Sequence, residues 1–255
     1  MRFALLFGLA ACGRLDFTEH VDASDAARDT IAVGHDEDGD GIPDTSDPCP
    51  HVAVGGMTDT DGDGVGDACD PNPTTPSEHW ILFATMQAGD TAFDDITVAT
   101  QEADALRFAG DYDPRLTISL NRARIDLGWT ANALLSTASM QHQIAFGIDA
   151  TAQTEYYFCE LNENTMSGFR DAAVVSYDQT NGYTQIAQMD PGAFHTGAGY
   201  TRLDTDTTMK LETGWTGQLY DLTAATPAYT GGTSIQFAFN GLDVSIRYLA
   251  IISSN

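Results

Sequence analysis

Apolar and polar side chains alternate with a period of two in four segments of the C-terminal two thirds of the chain. These segments are residues 116–120, 144–148, 235–239 and 242–248. Successive side chains of a strand point to opposite faces of its sheet, so this period predicts β-strands with one buried face. The last two segments are joined by Asn240-Gly241, a dipeptide favoured in two-residue turns, which predicts a β-hairpin there.

Turn signals recur between the predicted strands, for example at Asp113-Pro114 and Gly231-Gly232, and only residues 130–140 have a helical pattern. Many short strands, frequent turns and almost no helix predict a mainly β chain. We therefore expect residues 78–255 to form an antiparallel β-sandwich of the jelly-roll type. At about 178 residues it can bury a sizeable core without disulfides.

A different pattern precedes the strands, because ten aspartates occur in two copies of one spacing. Carboxylates fall at positions 1, 3, 5, 9 and 12 of each copy, and glycine at position 6. This is the ligand spacing of an EF-hand-type calcium loop, in which position 7 contributes a backbone carbonyl. The predicted ligands are Asp36, Asp38, Asp40, Ile42, Asp44 and Asp47 in the first loop, and Asp59, Asp61, Asp63, Val65, Asp67 and Asp70 in the second.

The charge balance supports cation binding and argues against nucleic acid as a partner. Acidic residues outnumber basic ones 37 to 11, which gives a net charge of −26, and no Lys or Arg lies between Arg28 and Arg107. Such a chain repels phosphate backbones. Two Ca²⁺ ions would leave six of the ten loop charges uncompensated, so we expect two or more ions and favour three or more.

The cysteines around the loops carry a family resemblance. Cys49-Pro50 follows the first loop, and Gly66-Asp67-Ala68-Cys69-Asp70 closes the second. Residues 35–73 therefore resemble two thrombospondin type-3 repeats, followed by a Pro-rich linker at 74–77. The resemblance implies calcium ligation by the ten aspartates, backbone carbonyls from Ile42 and Val65, and a Cys49–Cys69 bridge. Cys159 lies in an apolar stretch and is expected to be a buried free thiol.

The N-terminus has the features of an export signal. Arg2 precedes the apolar residues 3–10, which are too few to span a bilayer. Leu9-Ala10-Ala11-Cys12 resembles the lipobox of bacterial lipoproteins, which implies cleavage and lipidation at Cys12; an ordinary secretory signal is the alternative. The resemblance implies a protein anchored in the cell envelope, and Gly13 after the cysteine favours the outer membrane. Residues 13–34 would form a flexible acidic tether.

The last strand, around residues 241–251, resembles that of concanavalin-like jelly rolls, the laminin-G and legume-lectin architecture. Such sandwiches are often carbohydrate- or protein-binding modules, and some are glycoside hydrolases. The Glu-x-Asp-x-Glu run of those hydrolases does not occur in this chain. No catalytic residue is predicted, and we expect no enzyme activity. Trp129 and Trp215 lie in Gly-rich turns and are either exposed platforms for sugar rings or core residues at sheet corners.

Together these patterns predict an exported, lipid-anchored protein in which a calcium-stiffened stalk presents a β-sandwich head. The head would bind a carbohydrate or a surface protein, as in adhesion. Two alternatives remain at this point: a glycan-degrading enzyme with the repeats as spacer, and a purely structural envelope protein.

Overall fold

The structure, a computed structural model, describes residues 34–54, 57–88, 92–149, 155–178, 182–205, 208–224 and 231–254. All the regular secondary structure in these ranges is β-strand, which confirms the prediction of a mainly β chain. The strands are β1 (Glu78–Ala84), β2 (Thr100–Gln101), β3 (Leu106–Tyr112), β4 (Arg115–Leu120), β5 (Ala123–Leu134), β6 (Gln141–Asp149), β7 (Glu155–Asn164), β8 (Arg170–Asp178), β9 (Gly182–Met189), β10 (Gly197–Asp204), β11 (Met209–Trp215), β12 (Gln218–Ala224) and β13 (Gly232–Ser254).

The strands pair antiparallel and close into a sandwich. Their order is β12-β11-β10-β5-β13-β6-β7-β8-β9; β1, β3 and β4 also pair with β13, and β2 pairs with β3. Strands β11 and β12 contact β7, β8 and β9 although they lie at the other end of this order. The sheet therefore folds over itself and buries one apolar core between its layers, as the alternating pattern predicted.

The helix predicted over residues 130–140 is wrong. Strand β5 continues to Leu134, and its residue Ala131 pairs with Gly197 of β10 on one side and Val244 of β13 on the other. Ladder hydrogen bonds on both edges outweigh the weak helix preference of the Ala and Leu residues in this segment. Beyond the strand the chain turns, and Met140 has a left-handed φ of 55°.

The hairpin predicted at Asn240-Gly241 is also wrong, because β13 runs unbroken through both residues. Its first half pairs with β4 and β6, and its second half with β1 and β5. The register shifts between Phe239 and Leu242, so the chain bends at this point instead of reversing. Gly241 does have the left-handed backbone conformation that a turn would need, with φ 62°, but here this conformation forms the bend within β13.

Replacing Gly241 by alanine is expected to destabilise the sandwich by about 3 kcal/mol, from backbone strain and overpacking together. A Cβ at this position would lie 1.8 Å from the carbonyl oxygen of Gln141. Gly168→Ala is the matched control, because Gly168 has φ 71° with no atom within 4 Å of such a Cβ. It should cost only the left-handed strain, about 1 kcal/mol. Urea unfolding of both variants measures the difference, and equal losses would contradict the overpacking.

The segment with the two loops, residues 35–73, packs against the sandwich and is called the repeat segment below. Its apolar side chains Cys49, Val52, Val65 and Cys69 form a buried cluster with Ile252 of β13, and Trp80 of β1 packs on this cluster. The Trp80 indole N–H also donates to the Pro48 carbonyl at 3.3 Å. The repeat segment therefore shares a small core with the sandwich and does not stand away from it as a stalk would.

A buried polar network also holds the repeat segment against the sandwich. The ring of His51, from the repeat segment, lies with Nε2 3.0 Å from Oδ2 of Asp126 in β5. Asp126 also accepts from Nε of Arg202 in β10 at 2.5 Å, and Arg124 donates to the Cys69 carbonyl at 2.8 Å. Burial alone would raise the pKa of Asp126, but the charge of Arg202 and the His51 contact hold that pKa well below its usual range.

The predicted signal and tether, residues 1–34, lie outside the described residues except for Gly34. Among the residues that are described, no helix has the length and apolar character needed to cross a membrane.

Candidate calcium sites and a polar sheet face

The first three aspartates of each loop converge. One carboxylate oxygen from each of Asp36, Asp38 and Asp40 lies within 4.8 Å of the other two, and Asp59, Asp61 and Asp63 repeat this arrangement in the second loop. The structure thus brings together positions 1, 3 and 5 of the predicted ligand sets.

Backbone amides hold the carboxylate at position 1 in place. Asp36 accepts from the N–H groups of Gly39 and Gly41, each at 2.9 Å. Both glycines have positive φ, 74° and 94°, which brings their amides round towards that carboxylate. The second loop repeats the arrangement, because Asp59 accepts from the corresponding glycines at 2.7 and 3.0 Å. The glycine spacing read from the sequence therefore shapes the loop around its first aspartate.

The carboxylates at position 9 close the loops. Asp44 accepts from the backbone N–H of Glu37 at 2.9 Å and lies 2.6 Å from Nδ1 of His35. Asp67 accepts from both the backbone N–H and the hydroxyl of Thr60, at 2.7 and 2.6 Å. At position 7, Ile42 and Val65 donate their N–H groups to the aspartates two residues before them. Val65 is fully buried and anchors the second loop in the small core.

Buried oxygens without a hydrogen-bond donor mark positions 3, 5 and 12. In the first loop they are Oδ2 of Asp38, Asp40 and Asp47, and in the second Oδ2 of Asp61 and Asp70. A buried carboxylate oxygen without a donor is costly, and a bound cation satisfies it. Oxygen-only donors in sets of three or more carboxylates suit Ca²⁺. The residues present therefore fit the calcium ions that the loop spacing implies.

Electrostatic strain in these positions points to the same conclusion. Burial, reinforced by neighbouring carboxylates, raises the pKa of Asp38 to about 7 and that of Asp70 to about 6. The same causes raise the pKa values of Asp47 and Asp61. Like charges this close destabilise one another, and a cation between them would relieve the repulsion.

Sequence reasoning missed one residue of the second loop. Glu78, the first residue of β1, is buried and places a carboxylate oxygen within 4.8 Å of oxygens of Asp63 and Asp70. Its backbone N–H donates to Oδ2 of Asp63 at 3.0 Å, which is why that oxygen has a donor. Glu78 lies eight residues beyond the last loop position, outside the repeated spacing, so no sequence signal identifies it as part of the cluster.

The Cys49–Cys69 disulfide is present in the structure and links the ends of the two loops. The backbone N–H of Cys49 also donates to Oδ1 of Asp47 at 2.8 Å, which joins the bridge to the first loop. Cys159 is buried and unpaired by disulfide, as its apolar surroundings predicted. Burial raises the pKa of its thiol well above the ordinary value, so it is not a nucleophile at neutral pH.

The two tryptophans do not form an exposed platform. Trp129 is 0% and Trp215 is 3% exposed, and their rings pack edge to face at 6.1 Å with Phe194 against both. The indole N–H of Trp129 donates to the buried Oγ1 of Thr201, and that of Trp215 donates to the His195 carbonyl. They are core residues, the second of the two alternatives that their sequence context left open.

A different surface presents aromatic rings. Tyr156 and Phe158 of β7, Tyr177 of β8 and Tyr183 of β9 lie on the face opposite the core, and Tyr183 is 75% exposed. Tyr177 pairs in register with both Tyr156 and Tyr183, at ring distances of 6.1 and 4.8 Å. Phe158 meets Tyr183 edge to face at 6.0 Å. This aromatic ladder, residues 156, 158, 177 and 183, spans three strands.

Amides and carboxylates continue the same face along the strands. Gln143 of β6 donates to Glu160 of β7 at 2.7 Å, and Asn162 of β7 donates to Asp171 of β8 at 3.3 Å. Gln185 of β9 also bonds to Asp171. Burial, with the charge of Asp171, raises the pKa of Glu160 to about 7. We call the aromatic ladder and this polar row together the β7–β9 face. The sequence of β7 predicts a strand with two different faces, but it does not predict which residues of β8 and β9 lie beside it.

Comparison with known families supports the reading of the loops. The thrombospondin type 3 repeat family matches residues 33–54 and 58–72. Repeats of this family bind calcium, and the matched stretches contain all ten predicted aspartate ligands. No curated protein matches the chain in sequence.

Solved structures resemble the sandwich. A CBM2 module of the evolved Dit protein of Lactobacillus casei BL23 phage J-1 aligns with a TM-score of 0.53 at 8% identity, covering 70% of this chain and 97% of that module. Winged bean acidic lectin, in complex with methyl-α-D-galactose, aligns with a TM-score of 0.53 at 5% identity, covering 69% and 98%. At these identities the likeness shows the fold alone. The chain therefore combines a segment that matches the thrombospondin type 3 repeat family with an antiparallel β-sandwich whose fold resembles those two structures.

Proposed function

We propose that this protein is a calcium-binding surface protein whose repeat segment, when loaded with Ca²⁺, holds a β-sandwich head that binds carbohydrate. The observation that carries the calcium part is the set of buried carboxylate oxygens without donors at positions 3, 5 and 12 of the loops. A bound Ca²⁺ ion would be coordinated by these oxygens and would neutralise their charge. Because the repeat segment shares a core with the sandwich, its order and the position of the head are linked.

Calorimetric titration with Ca²⁺ tests this part. The proposal expects two or more ions per chain, with three or more favoured by charge, at dissociation constants of about 10⁻⁴ to 10⁻³ M. Asp38→Asn and Asp61→Asn should each weaken one loop. Asp95→Asn makes the same change at an exposed position outside the loops and should bind as the parent does. Absence of calcium binding in the parent chain would refute the proposal.

The carbohydrate part rests on the β7–β9 face and on the fold. Two of the solved structures that share this fold are a carbohydrate-binding module and a lectin holding a galactoside. Glu160, Asn162 and Asp171 of the polar row are buried, but Tyr183 and Gln185 of β9 are exposed. Their ring and amide offer stacking and hydrogen bonds, the two interactions that hydroxyl-rich rings accept. The acidic row and the net charge of −26 disfavour anionic glycans, so we infer an uncharged glycan.

Tyr183→Ala is expected to weaken glycan binding about five- to thirty-fold, since loss of one stacked aromatic ring removes on the order of 1–2 kcal/mol. The measurement is a glycan array in calcium, followed by titration with the best ligand. Leu219→Ala, which removes an exposed apolar side chain from β12, is the control and should bind normally. Equal binding by both variants would exclude the ladder as the site.

A glycoside hydrolase is the second candidate, because the register of β7 and β8 makes Glu160 and Asp171 diagonal neighbours on one face of the sheet. Both carboxylates are hydrogen-bonded to amides, which favours a binding role. Incubating the bound glycan with the protein and measuring new reducing ends separates the two. Cleavage that Glu160→Gln abolishes would establish the enzyme; an intact glycan supports the binding head.

We also propose that the protein is exported and anchored in the envelope, most simply in the outer membrane, through a lipid on Cys12. Support comes from the lipobox-like sequence and from the Cys49–Cys69 disulfide, which suits an oxidising compartment. In adhesion the anchored head would contact glycans of another surface. Mass spectrometry of the envelope protein tests this: a lipid-modified N-terminal cysteine, absent in Cys12→Ser, is expected, and an unmodified N-terminus would contradict it.

A further inference from the structure

A second cluster of carboxylates lies where the second loop meets the sandwich. Asp63 and Asp70 come from the repeat segment, and Glu78 is the first residue of β1, where it pairs with Ser254 of β13. One carboxylate oxygen from each of the three lies within 4.8 Å of the other two. Asp63 also belongs to the cluster at positions 1, 3 and 5 of the loop, so two groups of acids share its carboxylate.

These separations suit the ligands of one Ca²⁺ ion. Calcium–oxygen distances of about 2.3–2.6 Å allow two ligand oxygens of the same ion to lie up to roughly 5 Å apart. All three pairs of oxygens in this cluster are within that limit. Asp70 is 6% and Glu78 is 5% exposed, so water has little access to compensate their charges.

Asp70 supplies an independent observation. Its Oδ1 accepts from the backbone N–H of Asn72 at 2.7 Å, but its Oδ2 is buried and has no hydrogen-bond donor. The guanidinium of Arg124 donates to the carbonyl of the preceding residue, Cys69, but it pairs with Asp204 at 3.0 Å and not with Asp70. A buried carboxylate oxygen without a donor is costly, and a cation within the cluster removes that cost.

The Pro-rich linker brings Glu78 back to the second loop. The N–H groups of Thr74 and Thr75 donate to the Asn72 carbonyl at 2.6 and 2.9 Å, which closes a turn in the linker. The Asn72 side-chain amide and the Ser77 hydroxyl each donate to one oxygen of Glu78, at 2.7 and 2.6 Å. A carboxylate oxygen has two acceptor positions, so each of these oxygens keeps one for a metal ion. The hydrogen bonds therefore orient the carboxylate and leave it able to bind.

We propose that Asp63, Asp70 and Glu78 bind a Ca²⁺ ion of their own, called the junction ion, in addition to the ion at positions 1, 3 and 5 of the second loop. The inference rests on the proposed calcium function and gives a location to the third ion that the loop charges favour. Because Glu78 belongs to the sandwich and the two aspartates to the repeat segment, the junction ion fastens one to the other. Among the described residues, the aspartates of the first loop form only the cluster at positions 1, 3 and 5, so the junction ion belongs to the second loop.

The test is the dependence of stability on calcium concentration in the full chain. Once calcium saturates the folded protein, the free energy of unfolding rises with the logarithm of its concentration, and the slope counts the bound ions. Urea unfolding, followed by tryptophan fluorescence, measures this slope between about 5 and 50 mM calcium at constant ionic strength, above the dissociation constants expected of such modules. Glu78→Gln should lower the slope by one ion. Glu102→Gln makes the same change at a partly exposed residue outside both clusters and should keep the parent slope.

The same variant distinguishes a metal ligand from a purely structural residue. In chelator, Glu78→Gln removes one of three repelling charges, and its amide group can still bond to both Asn72 and Ser77. The variant should therefore be at least as stable as the parent without calcium, and less stable than the parent in calcium. An equal loss of stability under both conditions would show that Glu78 acts through packing alone and would overturn the proposal.

Asp70→Asn is a second variant of the same site, and it keeps the oxygen that accepts from the Asn72 N–H. Because both variants remove the same ion, the double variant should have the slope of either single variant. A further loss of one ion in the double variant, or a parent slope in Glu78→Gln, would contradict a shared junction ion while leaving the loop ions in place. A parent chain whose stability does not depend on calcium would instead refute the calcium function itself, and the junction ion with it.

Discussion

Removal of calcium is expected to lower the midpoint of thermal unfolding by about 10 °C. At a calcium concentration ten to a hundred times the dissociation constant, each ion contributes roughly 1.4–2.7 kcal/mol, so two ions contribute about 3–5 kcal/mol. For a chain of this size, each kcal/mol corresponds to about 2–4 °C. Calorimetric scans in 10 mM calcium and in chelator measure the shift.

The physical reason is the balance between charge repulsion and a small core. Without cations the loop carboxylates repel one another, and the apolar cluster that opposes this repulsion has few members. Chelation should therefore loosen the repeat segment first and expose Trp80, whose neighbours Pro48 and the disulfide belong to that segment. The other two tryptophans are buried in the sandwich, so a red shift of the fluorescence reports on Trp80.

Two controls make the calcium result specific. Magnesium at the same concentration should restore little of the lost stability, because Mg²⁺ gives up its water shell reluctantly and needs near-octahedral ligands. Asp95→Asn should unfold with the same calcium-dependent shift as the parent chain. An unchanged midpoint in chelator would show that the repeat segment holds its structure without ions and would remove calcium from the proposed mechanism.

Local pattern was enough to predict the fold class and most strands. The alternation at residues 144–148 and 235–239 follows from the two-sided character of a strand, and both segments pair in the sandwich. The wrong predictions concern segments whose conformation depends on pairing with strands that are distant in the sequence. Residues 130–134 become a strand because β13 pairs with β5 as far as Leu134 and β10 pairs with it as far as Ala131. Asn240-Gly241 becomes a bend because β13 continues beyond it and pairs there with β5. Neither partner can be identified from nearby sequence.

The difference between local pattern and tertiary contact also explains which site residues could be predicted from the sequence. Each copy of the loop has its five aspartates within twelve residues, so their spacing can be recognised in the sequence. In the structure, the aspartates at positions 1, 3 and 5 of each copy lie close together. Glu78 and the β7–β9 face are brought together by chain folding, so no local spacing in the sequence identifies them. The tryptophans show the converse: a glycine-flanked aromatic residue is compatible with surface and core, and only packing places Trp129 inside.

Asp126→Asn is expected to cost about 3–5 kcal/mol, the usual loss when one member of a buried ion pair is removed. Asp126 is completely buried, and it compensates Arg202 while holding His51 at 3.0 Å. Asparagine keeps the volume but leaves the Arg202 charge with Glu212 alone, at 3.3 Å and partly exposed. Urea unfolding of parent and variant measures the loss.

Asp243→Asn is the matched control, because Asp243 also pairs with an arginine, Arg107, whose side chain is 41% exposed. Water screens that charge, so the control should lose far less stability than Asp126→Asn. Similar losses would contradict the assignment of the buried network as a main support of the fold.

The pH dependence of the same comparison gives a further check on the buried network. The pKa of Asp126 in the folded protein lies below that of an unfolded aspartate, so its contribution is complete above about pH 4. The contribution decreases as the pH falls from there toward the folded-state pKa. The stability difference between parent and Asp126→Asn should therefore be constant near neutrality and shrink in acid. Since His51 belongs to the repeat segment, the variant should also undock that segment, and it should do so even in saturating calcium; a repeat segment that stays docked in Asp126→Asn would show that the apolar cluster alone suffices.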